Sequence, residues 1–305
     1  MDQKELWDTF YSLVGGDTQL RILRPVIVRH LDLIDKPATS SKDLALLMGA
    51  SPGISSRILG VVNSPAFGLP NKVSDLTIAI SLLGYNKIRD ILLSLSILGQ
   101  LRVKLASQMK QLWKHSFYCA KASEIIAESL KRMTKEAFSA GLLHDIGKTV
   151  LCYTNPSVYS YTRSQYEQAK GRALHWHSER QLLGVSHAEI GALACYYWSL
   201  PQVFYKVVWS HHYPTILPTL TPESYLAHVV HIADILCWRA GFPSVNGPNP
   251  YLGKKAEECV NRNIIISLGI KEEQFQDIVT RVDEELEKSE RIFNWIEGKT
   301  PTLVS

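Results

Sequence analysis

Apolar residues along this chain recur at three- and four-residue spacing, and no stretch alternates with a clear period of two, so the pattern predicts helices throughout. Residues 40–49 open with Ser40 and Asp43 in N-terminal capping positions, run through Leu44, Leu46 and Leu47, and stop at Gly49. Ser51-Pro52 begins the next helix, with Ile54, Ile58, Leu59, Val61 and Val62 inward, until Asn63-Ser64-Pro65 breaks it. Ser74-Asp75 opens a third, with Ile78, Ala79, Leu82 and Leu83 facing inward and Gly84 closing it. Residues 88–98 are apolar nearly all round, as expected of a helix central to a core. Ser186 and Glu189 form a capping box ahead of residues 190–198. Thr221-Pro222-Glu223 starts a long helix to about Ala240, and the Pro- and Gly-rich residues 242–250 form a loop. Two more helices are expected at 254–268 and 272–295, the last charged and amphipathic. No internal repeat is visible.

Composition changes this picture little. The 305 residues are 46% hydrophobic and 20% charged, ordinary for a globular chain with a substantial core, in one large or two intimately packed domains. The net charge of +4 is spread along the chain rather than gathered into a stripe, so a nucleic-acid partner is not expected. The longest apolar run, residues 91–98, is far short of the ~20 residues a membrane span needs. The N-terminus lacks the pattern of a secretory signal, and no membrane partner is expected. The five cysteines (Cys119, Cys152, Cys195, Cys237 and Cys259) form no CxxC pair and sit in apolar settings, which suggests reduced, buried thiols and a cytoplasmic location.

The chemistry lies in the histidines. His144-Asp145 stands at the end of a predicted helix, where adjacent imidazole and carboxylate can turn toward one site and the carboxylate can bridge two metals. Alone, a His-Asp pair is a weak signal, and its company carries the case. His115 lies on a helix about 30 residues upstream. His187 opens the helix capped by Ser186, and His211-His212 follow an apolar helix. Asp234 interrupts a strongly apolar stretch, where a carboxylate needs a partner or a metal.

The order His, His-Asp, His, His-His, Asp resembles the HD superfamily of metal phosphohydrolases in its extended HD-GYP-like form. Leu112-Trp113-Lys114-His115-Ser116 and residues 140–148 resemble HDOD domains in particular. So do residues 40–47, 56–68 and 78–84, with Leu59, Val62, Asn63 and Ser64 the most specific positions. The resemblance covers roughly residues 15 to 240 and implies an all-α fold, an HD-domain-like helical bundle with an N-terminal helical subdomain. Residues 1–105 would be the N-terminal helical part, 106–241 the metal-site bundle with five or more helices around the metals, and 242–305 a loop and C-terminal helices packed on the module. HDOD proteins are taken as bacterial signalling and regulatory modules, and many have lost the metal ligands that this chain keeps. By resemblance, His115, His144, Asp145 and Asp234 would hold one divalent ion, and Asp145, as bridge, would hold a second with His187, His211 and His212. Iron or manganese is favoured over zinc or nickel. Asp145 and Lys148 would be the catalytic residues of a phosphohydrolase, Lys148 meeting a substrate phosphate. Gln111 stands where some HD-GYP enzymes place a Glu for a third metal, so at most two ions are expected. Tyr213-Pro214 follows His212 without the Gly-Tyr-Pro loop, which counts against cyclic-dinucleotide hydrolysis.

Plainer readings stand beside these. Lys148 could instead be a solvated helix-end lysine favoured by the local dipole, and the histidines a relic cluster satisfied by Asp and backbone groups. His175 and His177 flank Trp176 in a polar region and read as surface residues; His30 and His228 read as ordinary. His231, three residues before Asp234, is either an orienting partner of a ligand or a core histidine. Trp7, Trp198, Trp209 and Trp238 read as packing. Three functions follow: a regulatory module with a retained binuclear metal site, a metal-dependent phosphohydrolase or phosphodiesterase acting on a phosphorylated small molecule or nucleotide, and a di-iron oxygenase. The first is the expectation and the second its alternative. The expected partner is a signalling protein or a small phosphorylated ligand, with a homodimer through the C-terminal helices left open.

Overall fold

The computed structural model describes residues 2–15, 63, 73–74, 78–79, 81–82, 84, 106–168, 175–216 and 221–296. Among these the fold is all-α, with no strand. The expected helices at 40–49, 51–62 and 88–98, and His30, lie outside the described residues. Of the helix expected to start at Ser74, Ala79 is buried but Ile78 and Leu82 are exposed. Ile78 and Leu82 share one helix face. Asn63, in the most specific of the HDOD-like stretches, clamps the main chain of Val73 from both sides. Its amide donates to the Val73 carbonyl and accepts from the Val73 N–H, both at 2.7 Å.

The short helix α1 (Gln3–Val14) starts with a capping box between Asp2 and Glu5 and buries Phe10 and Val14. Helix α2 (Ala106–Ser129) turns through a left-handed residue, Met133, into α3 (Thr134–Leu143), which lies back against it. Asp145 breaks the helical path and α4 (Ile146–Thr154) follows, then α5 (Pro156–Gln168) and α6 (His175–Leu183). Helix α7 (His187–Tyr197) carries the expected capping box, and α8 (Gln202–Ser210) returns against it. After a 3-10 turn at Pro214–Ile216, α9 (Pro222–Arg239) starts at its Thr221 cap, as its sequence predicts. All but one of residues 224–238 of α9 are buried, the expected fate of a helix apolar nearly all round. The helix expected at 254–268 is instead two pieces, α10 (Ala256–Cys259) and α11 (Arg262–Ser267). Val260 is extended and buried, and Asn261 caps the second piece by accepting from the Asn263 N–H. Helix α12 (Glu272–Ile296) buries Phe275, Ile278, Val282, Leu286 and Phe293 along one stripe. That stripe belongs to the core: Phe293 meets Trp113 of α2 edge to face at 5.1 Å.

Two close helix approaches place the chemistry. A Cβ on Gly141 would stand 2.7 Å from the Ala120 Cα, so α2 and α3 touch main chain to main chain. Gly147 and Gly191 do the same for α4 and α7, where a Cβ on Gly147 would fall 1.9 Å from the His187 carbonyl oxygen. Of the tryptophans read as packing, Trp198 and Trp238 are buried, whereas Trp209 is 39% exposed. Cys119, Cys152, Cys195 and Cys237 are buried free thiols and Cys259 is half-buried, with burial pushing each thiol pKa upward. No helix among the described residues is long and apolar enough to cross a membrane.

Candidate metal centre

All eight residues singled out from the sequence converge on one buried cluster. His115 projects from the middle of α2, and His144-Asp145 occupy the break between α3 and α4. His187 is the first residue of α7, His211 and His212 follow the last residue of α8, and Asp234 lies in mid-α9. His115, His144, Asp145, His187 and His211 are all but inaccessible, while His212 is half-buried and the Asp234 side chain is 13% exposed. The cluster therefore meets solvent on the side of Asp234 and His212.

The hydrogen bonds behind the rings set what faces the centre. The Nδ1 atoms of His115, His144 and His211 each lie 2.7 Å from a main-chain carbonyl, those of Phe242, Gly141 and Val208. A carbonyl has no hydrogen to give, so each Nδ1 carries the proton and donates it. In a neutral imidazole the Nε2 is then a bare lone pair. His187 is held likewise by a carboxylate, its Nδ1 2.5 Å from Glu179 Oε2. Burial pulls the pKa values of His144, His211 and His212 down, keeping these rings neutral. For His187 burial also pulls downward, but the Glu179 carboxylate outweighs it and the net direction is up.

The lone pairs crowd together. His115 Nε2 lies 3.2 Å from His144 Nε2, 3.1 Å from Asp234 Oδ1 and 3.7 Å from Asp145 Oδ2. His187 Nε2 lies 3.1 Å from Asp145 Oδ1 and 2.9 Å from His212 Nε2, with His211 Nε2 3.8 Å from the same Asp145 oxygen. Despite these approaches Asp145 Oδ1, Asp234 Oδ1 and His211 Nε2 are buried without a hydrogen-bond partner. The atoms are near enough, but acceptor faces acceptor. A buried acceptor left so costs about 1–3 kcal/mol, and more for a carboxylate. A cation among them removes the conflict. Donors sharing an ion at bond lengths of about 2.0–2.2 Å stand roughly 3–3.5 Å apart, the spacing found here. The two oxygens of Asp145 divide between the groups, Oδ2 toward His115 and His144, at 3.7 and 3.5 Å, and Oδ1 toward His187 and His211. The donor set fits a metal site, with the Asp145 carboxylate between two groups of histidines.

Charge is balanced by Lys148. Its Nζ lies 2.7 Å from Asp145 Oδ2 and 2.9 Å from Ser244 Oγ, and the side chain is buried. Burial pushes the Asp145 carboxyl upward, but Lys148 and the histidines outweigh it and hold it well below the usual range. Asp234 shows the same balance, with burial opposed by His115. The reading of Lys148 as a solvated lysine at a favourable helix end does not hold. It sits in the first turn of α4, where the dipole disfavours a cation, and Asp145 is what keeps it there.

Other residues were hidden from the sequence. The loop at 242–246 straps the site: Phe242 orients His115, the Pro243 carbonyl accepts from Gln111 Nε2 at 3.2 Å, and Ser244 meets Lys148. Gln111, expected not to bind a third ion, is engaged with this strap. His175, expected on the surface, is buried in the layer behind His187, with its Nδ1 3.3 Å from Glu179 Oε1. His177 beside it is exposed, as expected. Glu179 was not singled out, although it follows His175 by one helical turn and precedes His187 by eight residues. Its carboxyl is lowered to about 2: burial would raise it, but His187 and His175 prevail. His231 Nδ1 bonds the His211 carbonyl at 2.7 Å, so it steadies the main chain of a candidate ligand rather than Asp234. His228 bonds the Ser224 carbonyl within its own helix.

A helical bundle with histidines and aspartates drawn to one buried centre defines the class. A family model for the HDOD domain matches residues 20–214, and the chain belongs to the HDOD family. The fold is similar to that of an HDOD domain protein of unknown function from Geobacter sulfurreducens, with a TM-score of 0.69 at 21% identity over 91% of this chain and 98% of that one. A Shewanella amazonensis protein provisionally named a phosphohydrolase matches with a TM-score of 0.64 at 21% identity, over 92% of this chain and 98% of that one. A Marinobacter aquaeolei protein provisionally named a signal transduction protein reaches 0.73 at 16% identity, over 96% of this chain and 66% of that one. An uncharacterised protein of Treponema pallidum is 25% identical over 183 residues, which is 59% of this chain and 35% of that protein. The chain thus spans about a third of the length of the curated relative it matches.

Proposed function

We propose that this HDOD protein is a cytoplasmic regulatory module of a bacterial signalling system built on a binuclear metal centre. His115, His144, Asp145 and Asp234 hold one divalent ion; Asp145, His187, His211 and His212 hold the other. The observation that carries this reading is the set of buried, unpartnered acceptors turned toward one another, Asp145 Oδ1, Asp234 Oδ1 and His211 Nε2. Imidazole and carboxylate together suit iron and manganese as well as zinc or nickel. The signalling role draws support from the family and from the neighbour provisionally named a signal transduction protein. Its partner is a signalling protein or a small phosphorylated ligand. Elemental analysis of the wild type beside Asp145→Ala and Gln111→Ala tests the centre. Close to two ions per chain are expected in the wild type and in Gln111→Ala, with loss in Asp145→Ala. Full retention by Asp145→Ala would sink the bridging assignment.

One observation favours a second reading, a metal-dependent phosphohydrolase. Lys148 holds its ammonium 2.7 Å from the Asp145 carboxylate, and this supports a role in meeting a phosphoryl oxygen. When bound, the ions would supply Lewis-acid polarisation of the phosphoryl group. Lys148 would offset its charge, and the buried walls around His144 and His187 would exclude bulk solvent beyond the water that hydrolysis consumes. A panel of phosphomonoesters and cyclic nucleotides decides between the readings: metal-dependent turnover that is lost in Asp145→Ala supports catalysis. Turnover no higher than in that variant leaves the regulatory reading.

A further inference from the structure

Behind the candidate ligands the four orienting acceptors are unequal: three are neutral main-chain carbonyls and the fourth is a carboxylate. Glu179 is fully buried in α6, and its Oε2 accepts from two atoms of one residue, the His187 main-chain N–H at 2.8 Å and Nδ1 at 2.5 Å. This double hold fixes where α7 begins and how the His187 ring is turned. His175, one helical turn earlier, backs the arrangement. Its ring stacks 26° from parallel to His187 at 6.0 Å, and Tyr166 closes on it edge to face at 5.2 Å; its Nδ1 comes within 3.3 Å of Glu179 Oε1 without a hydrogen bond.

We propose that Glu179 is a positioning residue that fixes His187 in its Nδ1–H form and makes it the strongest imidazole donor of the centre, so that the His187 side and the His115 side hold their ions unequally. This rests on the metal reading above. A carboxylate accepting the Nδ1 proton gives the ring partial imidazolate character and raises the basicity of Nε2 beyond what a carbonyl confers. Removing such a partner costs about 10- to 100-fold in metal affinity.

Two measurements on the full chain test it. Nitrogen-15 spectra of the histidines in metal-free protein, with His187 assigned by its absence in His187→Ala, report the tautomer. The Nδ1–H form is expected in the wild type and in Glu179→Gln, which keeps an acceptor oxygen, and a mixture of tautomers in Glu179→Ala. Cobalt(II) titration followed by visible absorption reports the ions one by one. Glu179→Gln should weaken one of the two steps about 10-fold and Glu179→Ala about 100-fold, with the other step unchanged. Circular dichroism checks that each variant folds; if Glu179→Ala does not, Glu179→Gln decides. Cobalt steps identical to wild type in Glu179→Gln, or an unchanged His187 tautomer in folded Glu179→Ala, overturn the proposal. A wild type that takes up no cobalt removes the metal reading instead, and the tautomer of Glu179→Ala still decides the role of Glu179.

Discussion

Gly147→Ala isolates the contact that brings the two halves of the centre together. The added Cβ would lie 1.9 Å from the His187 carbonyl oxygen and 2.7 Å from the Gly191 nitrogen, against an ordinary limit of 3.4 Å. Both partners are main chain and cannot rotate away, so α4 and α7 must part by about 1.5 Å. Overpacking of this kind costs about 1–3 kcal/mol, and a rigid partner puts the cost at or above the upper end. At about 2 °C per kcal/mol for a chain of this size, the metal-free protein should melt roughly 6 °C lower. The same displacement carries His187 Nε2 away from Asp145 Oδ1, now 3.1 Å off, beyond the reach of a shared ion. If the proposed binuclear centre holds, Gly147→Ala should therefore bind about one ion where two are expected of the wild type, although no ligand has been altered. Differential scanning calorimetry and elemental analysis of the same preparations give both readings. A melting temperature within about 2 °C of wild type, together with full metal content, would refute the close-approach argument.

Further outcomes follow from the same geometry. His115→Ala and His187→Ala should each lose one ion and keep the other, which elemental analysis resolves; loss of both from either variant would mean one shared site. Lys148→Met should destabilise the metal-free protein by about 3–5 kcal/mol in denaturant unfolding, because buried Asp145 loses its cationic partner, and should cost much less with metal bound. The pH dependence of metal-free stability follows from histidines that the fold holds below their unfolded value. Burial lowers His175 to about 4 and His144, His211 and His212 in the same direction, while His187 alone is raised. Unfolding then takes up protons, so stability is present above about pH 6.5 and lost as pH falls toward 4. Guanidinium midpoints at pH 7 and pH 5 check this, and His175→Phe should flatten the fall.

The candidate ligands could be read from the chain because most carry a local anomaly. A His-Asp pair stands at a helix end, His187 opens a helix, His211-His212 follow one, and Asp234 interrupts an otherwise apolar run; His115, in mid-helix, is found only through the company of the others. What surrounds them could not be read. Main-chain carbonyls such as those of Phe242 and Val208 belong to any residue type, so the groups that orient His115 and His211 leave no trace in sequence. His175 stands among polar neighbours, which suggests exposure; its burial comes from Tyr166 and Glu179, supplied by tertiary contact. The break at residues 260–261 was invisible for a similar reason. The apolar residues before and after it continue a helical spacing, and only the fold shows Val260 extended and buried between two short helices. The plainer reading of Lys148 as a favourable helix-end lysine fails because His144 closes one helix and Asp145 opens the next, which puts Lys148 in a first turn.

The carbonyls behind three of the rings have an evolutionary consequence. Val208 and Phe242 aim a histidine through a main-chain oxygen that any residue type supplies, so packing rather than this hydrogen bond constrains their identity. Gly141 supplies its carbonyl equally, but its missing side chain is needed for another reason, the contact with Ala120. Glu179 alone gives orientation through a side chain that one nucleotide change can erase. Lineages drifting away from metal should therefore show the loss first at His187 and Glu179, while the histidines aimed by the main chain linger longest as traces of the ancestral centre.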